Sequence, residues 1–211
     1  MLVGQLKDET TMKIYTKGGD SGFTDLFGGG RVLKNNLRVK AYGAIDAANS
    51  AIGMAASAPQ ISSFIKEELI YVMKLLFSAG AEVATATKAS AQKLLDRELE
   101  NRLNESHVLR LEHVIDSVEA KLSPLKSFIL PYGSDAAARL HNARTAVRHA
   151  ESVLVDLLES EKGVRPVILQ FFNRLSDYLF VLARLANKEC SCPDLLWNGK
   201  LKDEEPGHTA D

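Results

Sequence analysis

Apolar residues recur at helical spacing in five separate stretches of this chain, and that period leaves little room for any class but helix. In residues 39–57, Tyr42, Ile45, Asn49 and Ile52 share one stripe. In residues 61–88, Leu69, Val72, Leu76 and Val83 do the same, with Ser62 or Ser63 able to cap the start. The third stretch, 107–122, carries Leu111, Val114 and Val118 and stops before Ser123-Pro124. The fourth begins after Ser134 as N-cap, with Asp135 in the first turn where negative charge suits the helix dipole. It runs to about Lys162 and ends at Gly163. The fifth runs from Pro166, a residue suited to a first turn, to about Lys188. The polar stretch up to Ser106 lacks a clear period and has room for extra helical turns. Residues 127–133 are apolar but hold Pro131 and Gly133, which predicts a buried turn. The expected fold is all-α, an up-and-down five-helix bundle with a glycine-rich N-terminal arm.

That arm is the exception to the pattern. Six of the 14 glycines fall between Gly18 and Gly30. Glycine has the highest backbone ordering entropy, so such a run needs compensation. Bare N–H groups closing on phosphate oxygens would supply it, with Lys17, Arg31 and Lys34 for charge and Thr16, Ser21 and Thr24 for hydroxyls. The spacing matches neither a P-loop nor a dinucleotide fingerprint, and a flexible N-terminal arm is the competing reading. Lys13-Ile-Tyr-Thr16 is a candidate extended piece.

Composition narrows the partners. A length of 211 residues, 45% hydrophobic, fits one core, and a net charge of -1 gives no field favouring nucleic acid or an anionic membrane. No apolar run is long enough to span a bilayer, and the N-terminus lacks a signal-peptide pattern, so a cytoplasmic chain is expected. Cys190 and Cys192 lie too close for good disulfide geometry and lack further nearby ligands, so they read as incidental thiols and no metal site is expected.

Two helix faces carry chemistry. His141, Arg144, Arg148 and Glu151 share one side of the fourth helix, opposite Leu140, Val147, Leu154 and Leu158. Such a face is either a solvated surface, with Arg148 and Glu151 paired, or a polyphosphate clamp built on arginine's rigid fork. On the fifth helix Asn173, Asp177, Phe180 and Arg184 share a face, a polar spot in an apolar wall. Asp46 is either a surface acid or a partner for Arg144 or Arg148.

These motifs together resemble the PduO-type corrinoid adenosyltransferases. The resemblance rests on Lys13-Ile-Tyr-Thr-Lys-Gly-Gly-Asp-Ser-Gly22, Leu26-Phe-Gly-Gly29, Arg31-Val32, Arg38-Val39 and Ala41-Tyr-Gly-x-x-Asp46-x-x-Asn-Ser-x-Ile-Gly53. It continues through Phe128-Ile-Leu-Pro131, Leu140-His-x-Ala-Arg-Thr-x-x-Arg148-x-Ala-Glu151 and Phe172-Asn-Arg-Leu-Ser-Asp-Tyr-Leu-Phe180, and spans roughly residues 12–188 in order. It implies a cobalamin adenosyltransferase-like bundle, a homotrimer with sites between subunits, and transfer of the 5'-deoxyadenosyl group of ATP to cob(I)alamin with Mg2+. A flavin-dependent reductase or a cobalamin-dependent enzyme is the protein partner expected beside the homotrimer.

By the same resemblance, Thr16, Lys17, Gly18, Gly19, Thr24, Asp25 and Lys34 contact ATP as the arm closes over it. Arg148, His149, Glu151, Ser152 and Asn173 complete the nucleotide site, Arg144 pairs with Asp46 across the subunit interface, and Phe128 displaces the corrinoid's lower ligand. The implied division is residues 1–11 as a disordered extension, 12–190 as the adenosyltransferase domain (arm 12–38, bundle 39–190), and 191–211 as an irregular tail. Three positions depart from the family pattern: Ala47, His149 and Ser152. The loss of positive charge at the last two predicts looser ATP binding, or compensation by Arg31 or the extra Gly30. It also leaves open a catalytically weak corrinoid or nucleotide carrier of the same fold.

Overall fold

A computed structural model describes residues 14–99, 102–161, 164–197 and 199. Six helices and one small hairpin make up the described chain: β1 (Phe23–Asp25), β2 (Arg31–Leu33), α1 (Leu37–Ala56), α2 (Ser63–Ala84), α3 (Ala89–Glu98), α4 (Glu105–Glu119), α5 (Asp135–Ser160) and α6 (Pro166–Glu189). Five of the helices form the bundle, in the spatial order α2, α1, α5, α6, α4. The fully buried Ile45 and Ile52 of α1, Leu69 and Leu76 of α2, Leu140, Val147 and Leu154 of α5, and Phe171, Leu175 and Leu182 of α6 form one apolar core. Residues 181–187 of α6 are buried on every side, which makes that helix the spine of the fold.

Helix boundaries follow local chemistry. Ser62 accepts from the Ile65 amide (3.4 Å), and Ser134 from the Ala137 amide (3.2 Å), as their positions lead one to expect. The α4 helix starts two residues earlier than its apolar pattern, because Asn104 caps it and His107 Nδ1 accepts the Asn104 amide in return (3.0 Å). The expected second helix is too long: α2 stops at Ala84. There the buried Arg38 side chain donates to the Val83 and Thr85 carbonyls (2.9 Å each), and Phe27 pairs with Thr85. The polar stretch beyond does hold a helix, α3, which packs outside the bundle with only Ala91 and Leu95 buried. The expected stop of the fourth helix at Gly163 lies outside the described residues.

Two buried carboxylates tie the helices together. Glu82 on α2 accepts from Arg165 at both oxygens (2.7 Å each) and from Arg102 (3.0 Å). Burial alone would raise its pKa, but the two arginines hold it below the ordinary carboxylate value. Glu68 accepts from Arg110 (2.7 and 2.8 Å) and from the buried Tyr178 hydroxyl (2.6 Å), with the same net lowering against burial. Burial, reinforced by Glu68, pushes the Tyr178 phenol well up.

Two expectations are corrected. The apolar residues 127–133 do not form a buried turn: Phe128 is 84% exposed and Tyr132 61% exposed. Gly133, with φ of 141°, bends the backbone so tightly against Asn187 that a Cβ would lie 2.0 Å from its Oδ1, and the apolar side chains are left facing outward. The tail after α6 is not merely irregular. Leu196 pairs antiparallel with Ile129, through bonds from the Leu130 amide to the Leu195 carbonyl (2.8 Å) and from the Trp197 amide to the Phe128 carbonyl (2.7 Å).

Candidate functional site

The glycine arm is a hairpin pinned to the bundle. Phe23 pairs with Leu33, Thr24 with Val32 and Asp25 with Arg31. Neither strand falls in the Ile14–Thr16 piece expected to be extended, and Lys13 lies outside the described residues. At the turn, Phe27 exchanges backbone bonds with Ala84 and Ala86 (3.0 Å each). Two glycines explain why it fits. A Cβ on Gly29 would lie 2.3 Å from that of Ala86, and one on Gly28 (φ 62°) would lie 2.7 Å from that of Ala91. Close approach of two backbones, rather than an anion, accounts for these two positions.

The other half of the arm brings a lysine side chain close to a tight glycine turn. Lys17 sits in the left-handed region (φ 58°), and the Gly18 amide bonds back to Thr16 Oγ1 (3.3 Å). Such a turn gathers N–H groups into a concavity. The Lys34 ammonium lies over Gly19, where a Cβ would meet Nζ at 2.9 Å. Thr24 is half-buried and Asp25 exposed, the latter 3.9 Å from an Arg31 nitrogen. Arg31 also donates to the Gly18 carbonyl, so it braces the arm from within and is not the spare cation expected of it. Around Gly30 there is open space.

Helix α5 presents the second part of the site. His141 is buried and tilted against the Phe180 ring (centroids 6.0 Å apart), with both ring nitrogens unpartnered. Burial first, and then the Arg144 charge, lower its pKa, so the imidazole is held neutral. Arg144 is half-buried with its Nε lacking an acceptor, and burial followed by the nearby Arg148 charge works against its own cation. Arg148, His149 and Ser152 are exposed. Glu151 does not pair with Arg148; it accepts from Asn173 Nδ2 on α6 (3.0 Å). Among the described residues Arg148 makes no hydrogen bond or ion pair, so this face is not a salt-bridged surface.

The rest of the expected α6 face is dispersed. Asp177 pairs with Arg174 (3.2 Å), and Arg184 is buried beneath the tail, bonded to Asp194 (2.8 Å). Asp46 does not meet Arg144 or Arg148 within one chain. It rims a groove of about 420 Å3 between α1 and α2, lined by Tyr42, Asn49, Leu76, Phe77 and Gly80. Phe77 is 70% exposed there, and the buried Asn49 Oδ1 has no partner. The structure therefore joins Arg144, Arg148, Glu151 and Asn173 on one face, with Ser152 and His149 exposed farther round the helix, while among the described residues the arm, Asp46 and Phe128 share no contact with it.

The sequence pattern missed the residues that hold Phe128, namely Asn187, Asp194 and the Trp197 backbone. One signal was present: Asn187 is a polar residue directly after the mostly apolar run Tyr178–Ala186. Among the described residues no cluster of three or more histidine, cysteine or acidic side chains could hold a metal ion, and no helix is long and apolar enough to cross a membrane.

Known proteins resemble this chain over most of its length. The sequence pattern of the cobalamin adenosyltransferase family matches residues 14–186. A corrinoid adenosyltransferase of Bacillus subtilis (strain 168) is 40% identical over 188 residues, 87% of this chain and 91% of the relative. A phenylalanine-to-histidine variant of the PduO-type ATP:corrinoid adenosyltransferase from Lactobacillus reuteri, complexed with cobalamin and ATP, superposes with a TM-score of 0.79 at 38% identity, covering 88% of this chain and 97% of that one. An arginine-to-lysine variant of that enzyme, complexed with ATP, gives 0.76 at 37% identity, covering 87% and 99%. The two substituted positions lie twenty residues apart in that protein.

Proposed function

The chain belongs to the cobalamin adenosyltransferase family, and from that premise we propose that it transfers the 5'-deoxyadenosyl group of ATP to cob(I)alamin. The observation that carries the assignment of residues is the α5 face, where Arg144 and Arg148 lack acceptors beside the Glu151–Asn173 pair. Cations left unmatched in a folded protein fit a polyanion that arrives later.

In the reaction, cob(I)alamin attacks C5' of ATP. The cobalt electron pair forms the Co–C bond, the C5'–O bond breaks, and its electrons leave with the triphosphate. Cobalt becomes formally Co(III). No protein nucleophile or base is required. The protein's work is to align the reactants and to stabilise the leaving anion. Arg148 binds the triphosphate from α5, with Lys17, Lys34 and the amides of Gly18 and Gly19 from the arm. Thr24 and Asp25 on β1 line the same nucleotide site, Asn173 positions Glu151, and His149 and Ser152 border the phosphates without adding fixed charge.

Mg2+, when bound, neutralises phosphate charge. Glu151, held by Asn173, is the carboxylate of this face that would approach such an ion, with its remaining ligands supplied by phosphates and water.

The nucleotide and corrinoid sites form between subunits of a homotrimer. Three features support this reading. The arm, the α5 face and Asp46 do not meet within one chain; Arg144 is half-buried without a counter-charge; and Phe77 beside Asp46 is exposed. A partner's Asp46 side chain would relieve Arg144. Phe128 covers the lower face of the corrinoid, where an apolar ring leaves no donor for cobalt. Its separation from Arg148 is also the twenty residues that part the phenylalanine and arginine substituted in the Lactobacillus reuteri enzyme.

The test is direct. Purified protein receives ATP, Mg2+ and chemically reduced cobalamin, and the visible spectrum is followed. Conversion to adenosylcobalamin is expected, and binding of both substrates without conversion would overturn the enzyme reading. Asp46→Ala and Arg144→Ala should each weaken the trimer in analytical ultracentrifugation and lower turnover; an unchanged trimer in both would remove that pair from the interface.

A further inference from the structure

The last turn of α6 fastens three separate segments. Arg184 donates to the Ser123 carbonyl after α4 (2.7 Å) and to Asp194 in the tail (2.8 Å). Asn187, 1% exposed, accepts from the Ser134 amide at the start of α5 (2.9 Å) and donates to the Tyr132 carbonyl (3.2 Å) and to Asp194 (3.3 Å). Its own carbonyl accepts the Cys192 amide (2.8 Å). Asp194 thus spends both carboxylate oxygens on this node.

From the node the tail runs to the Phe128 loop. Among the described residues, positions 124–131 make backbone hydrogen bonds outside the loop at two places only. Both are to the tail: Leu130 amide to Leu195 carbonyl, and Trp197 amide to Phe128 carbonyl. An exposed phenylalanine on a loop would otherwise have to be ordered at the moment of use, at the cost of its backbone freedom. Bound this way, the loop is ordered in advance.

We propose that residues 192–197 are a strap, anchored at Asp194, that positions Phe128 for catalysis. The strap rests on the reading that Phe128 faces the corrinoid's lower side. Asp194 acts through Phe128 and touches no reacting atom; it is a positioning residue. Its effect belongs to the stage at which cob(II)alamin loses its lower ligand, and not to ATP binding.

The experiment compares wild type with Asp194→Ala, Trp197→Pro, Trp197→Ala and Phe128→Ala. Each protein is loaded with ATP and cob(II)alamin, and the fraction free of its lower ligand is read by paramagnetic resonance and visible absorption. Turnover is then measured twice, from cob(II)alamin with a reduced flavin as electron donor and from preformed cob(I)alamin, which has no lower ligand to displace. Asp194→Ala should lower the ligand-free fraction and cut cob(II)alamin-dependent turnover by up to about a hundredfold, the scale of a 1 Å misplacement. Its KM for ATP should stay unchanged, and turnover from cob(I)alamin should fall far less.

Trp197→Pro removes the N–H that holds Phe128 and should act in the same direction. Trp197→Ala keeps that N–H and should act less. If Asp194→Ala fails to fold, Trp197→Pro carries the test. Wild-type spectra in Asp194→Ala and Trp197→Pro, with Phe128→Ala altered, would overturn the strap alone. An unchanged Phe128→Ala would overturn the placement of Phe128 and the strap with it.

Discussion

Arg165, at the N-cap of α6, and Arg148, on α5, are both half-exposed or exposed arginines of one bundle, yet they do opposite things. Arg165 spends its guanidinium on Glu82 and on the Leu103 carbonyl, and with Arg102 it neutralises a carboxylate that is 3% exposed. Arg148 meets no acceptor among the described residues, and its neighbour Arg144 is half-buried with an unsatisfied Nε. The first region is closed: every charge has its counter-charge within the chain. The second is open within the chain, as the proposed triphosphate site and subunit interface require. Residue type does not separate a structural ion pair from a ligand site. The balance of donors and acceptors does.

The largest test of that contrast is Arg148→Ala. We expect turnover to fall by roughly 10²–10³, as when one preorganised donor to a developing anion is lost. Thermal stability should not move, and a large loss of Tm would show Arg148 to be structural. Glu82→Gln is the mirror experiment. It strands two arginines against a neutral amide and should cost about 3 kcal/mol, the cost of breaking a buried pair. The midpoint measured by calorimetry falls, while turnover per folded molecule at low temperature is kept.

Gly29→Ala probes the boundary between the two regions. The new methyl would lie 2.3 Å from Ala86 Cβ, so the hairpin must shift, at roughly 1–3 kcal/mol of overpacking. The KM for ATP should rise several-fold, and Tm should fall by no more than that local cost; an unchanged KM would separate the arm from the nucleotide site.

The smallest expected effect is on acid stability. Glu68 and Glu82 have folded pKa values below their ordinary 4.5. Their contribution is therefore present above about pH 4.5 and is lost as pH falls through the lower folded values. The acid arm of a Tm–pH profile should flatten in Glu82→Gln and stay unchanged in Arg148→Ala.

Much of this is legible in the sequence alone. The 3.6-residue stripe marks all five bundle helices, because burial of one face decides helix packing. The caps at Ser62 and Ser134 are legible because they need only local geometry. The cationic face of α5 reads directly from the spacing of Arg144, Arg148 and Glu151. The reach of α2 was overestimated, because Arg38, 45 and 47 residues away in sequence, takes the carbonyls at its end. The exposed Phe128 loop was read as buried, because apolar composition cannot tell a side chain packed inside from one offered to a partner.

The glycine arm divides the same way. Its run of glycines announces a backbone that must go where side chains would not fit, and that much is a property of residue type alone. Whether each glycine serves an anion or a neighbouring backbone depends on what lies across from it. For Gly28 and Gly29 the neighbours are Ala91 and Ala86; for Gly19 it is the Lys34 ammonium. The helices, their caps and the cationic face follow from short-range pattern, since their partners lie within a turn or two. The strap on Phe128, the brace made by Arg31 and the missing partner of Arg144 follow from contacts between distant segments, which no local pattern encodes.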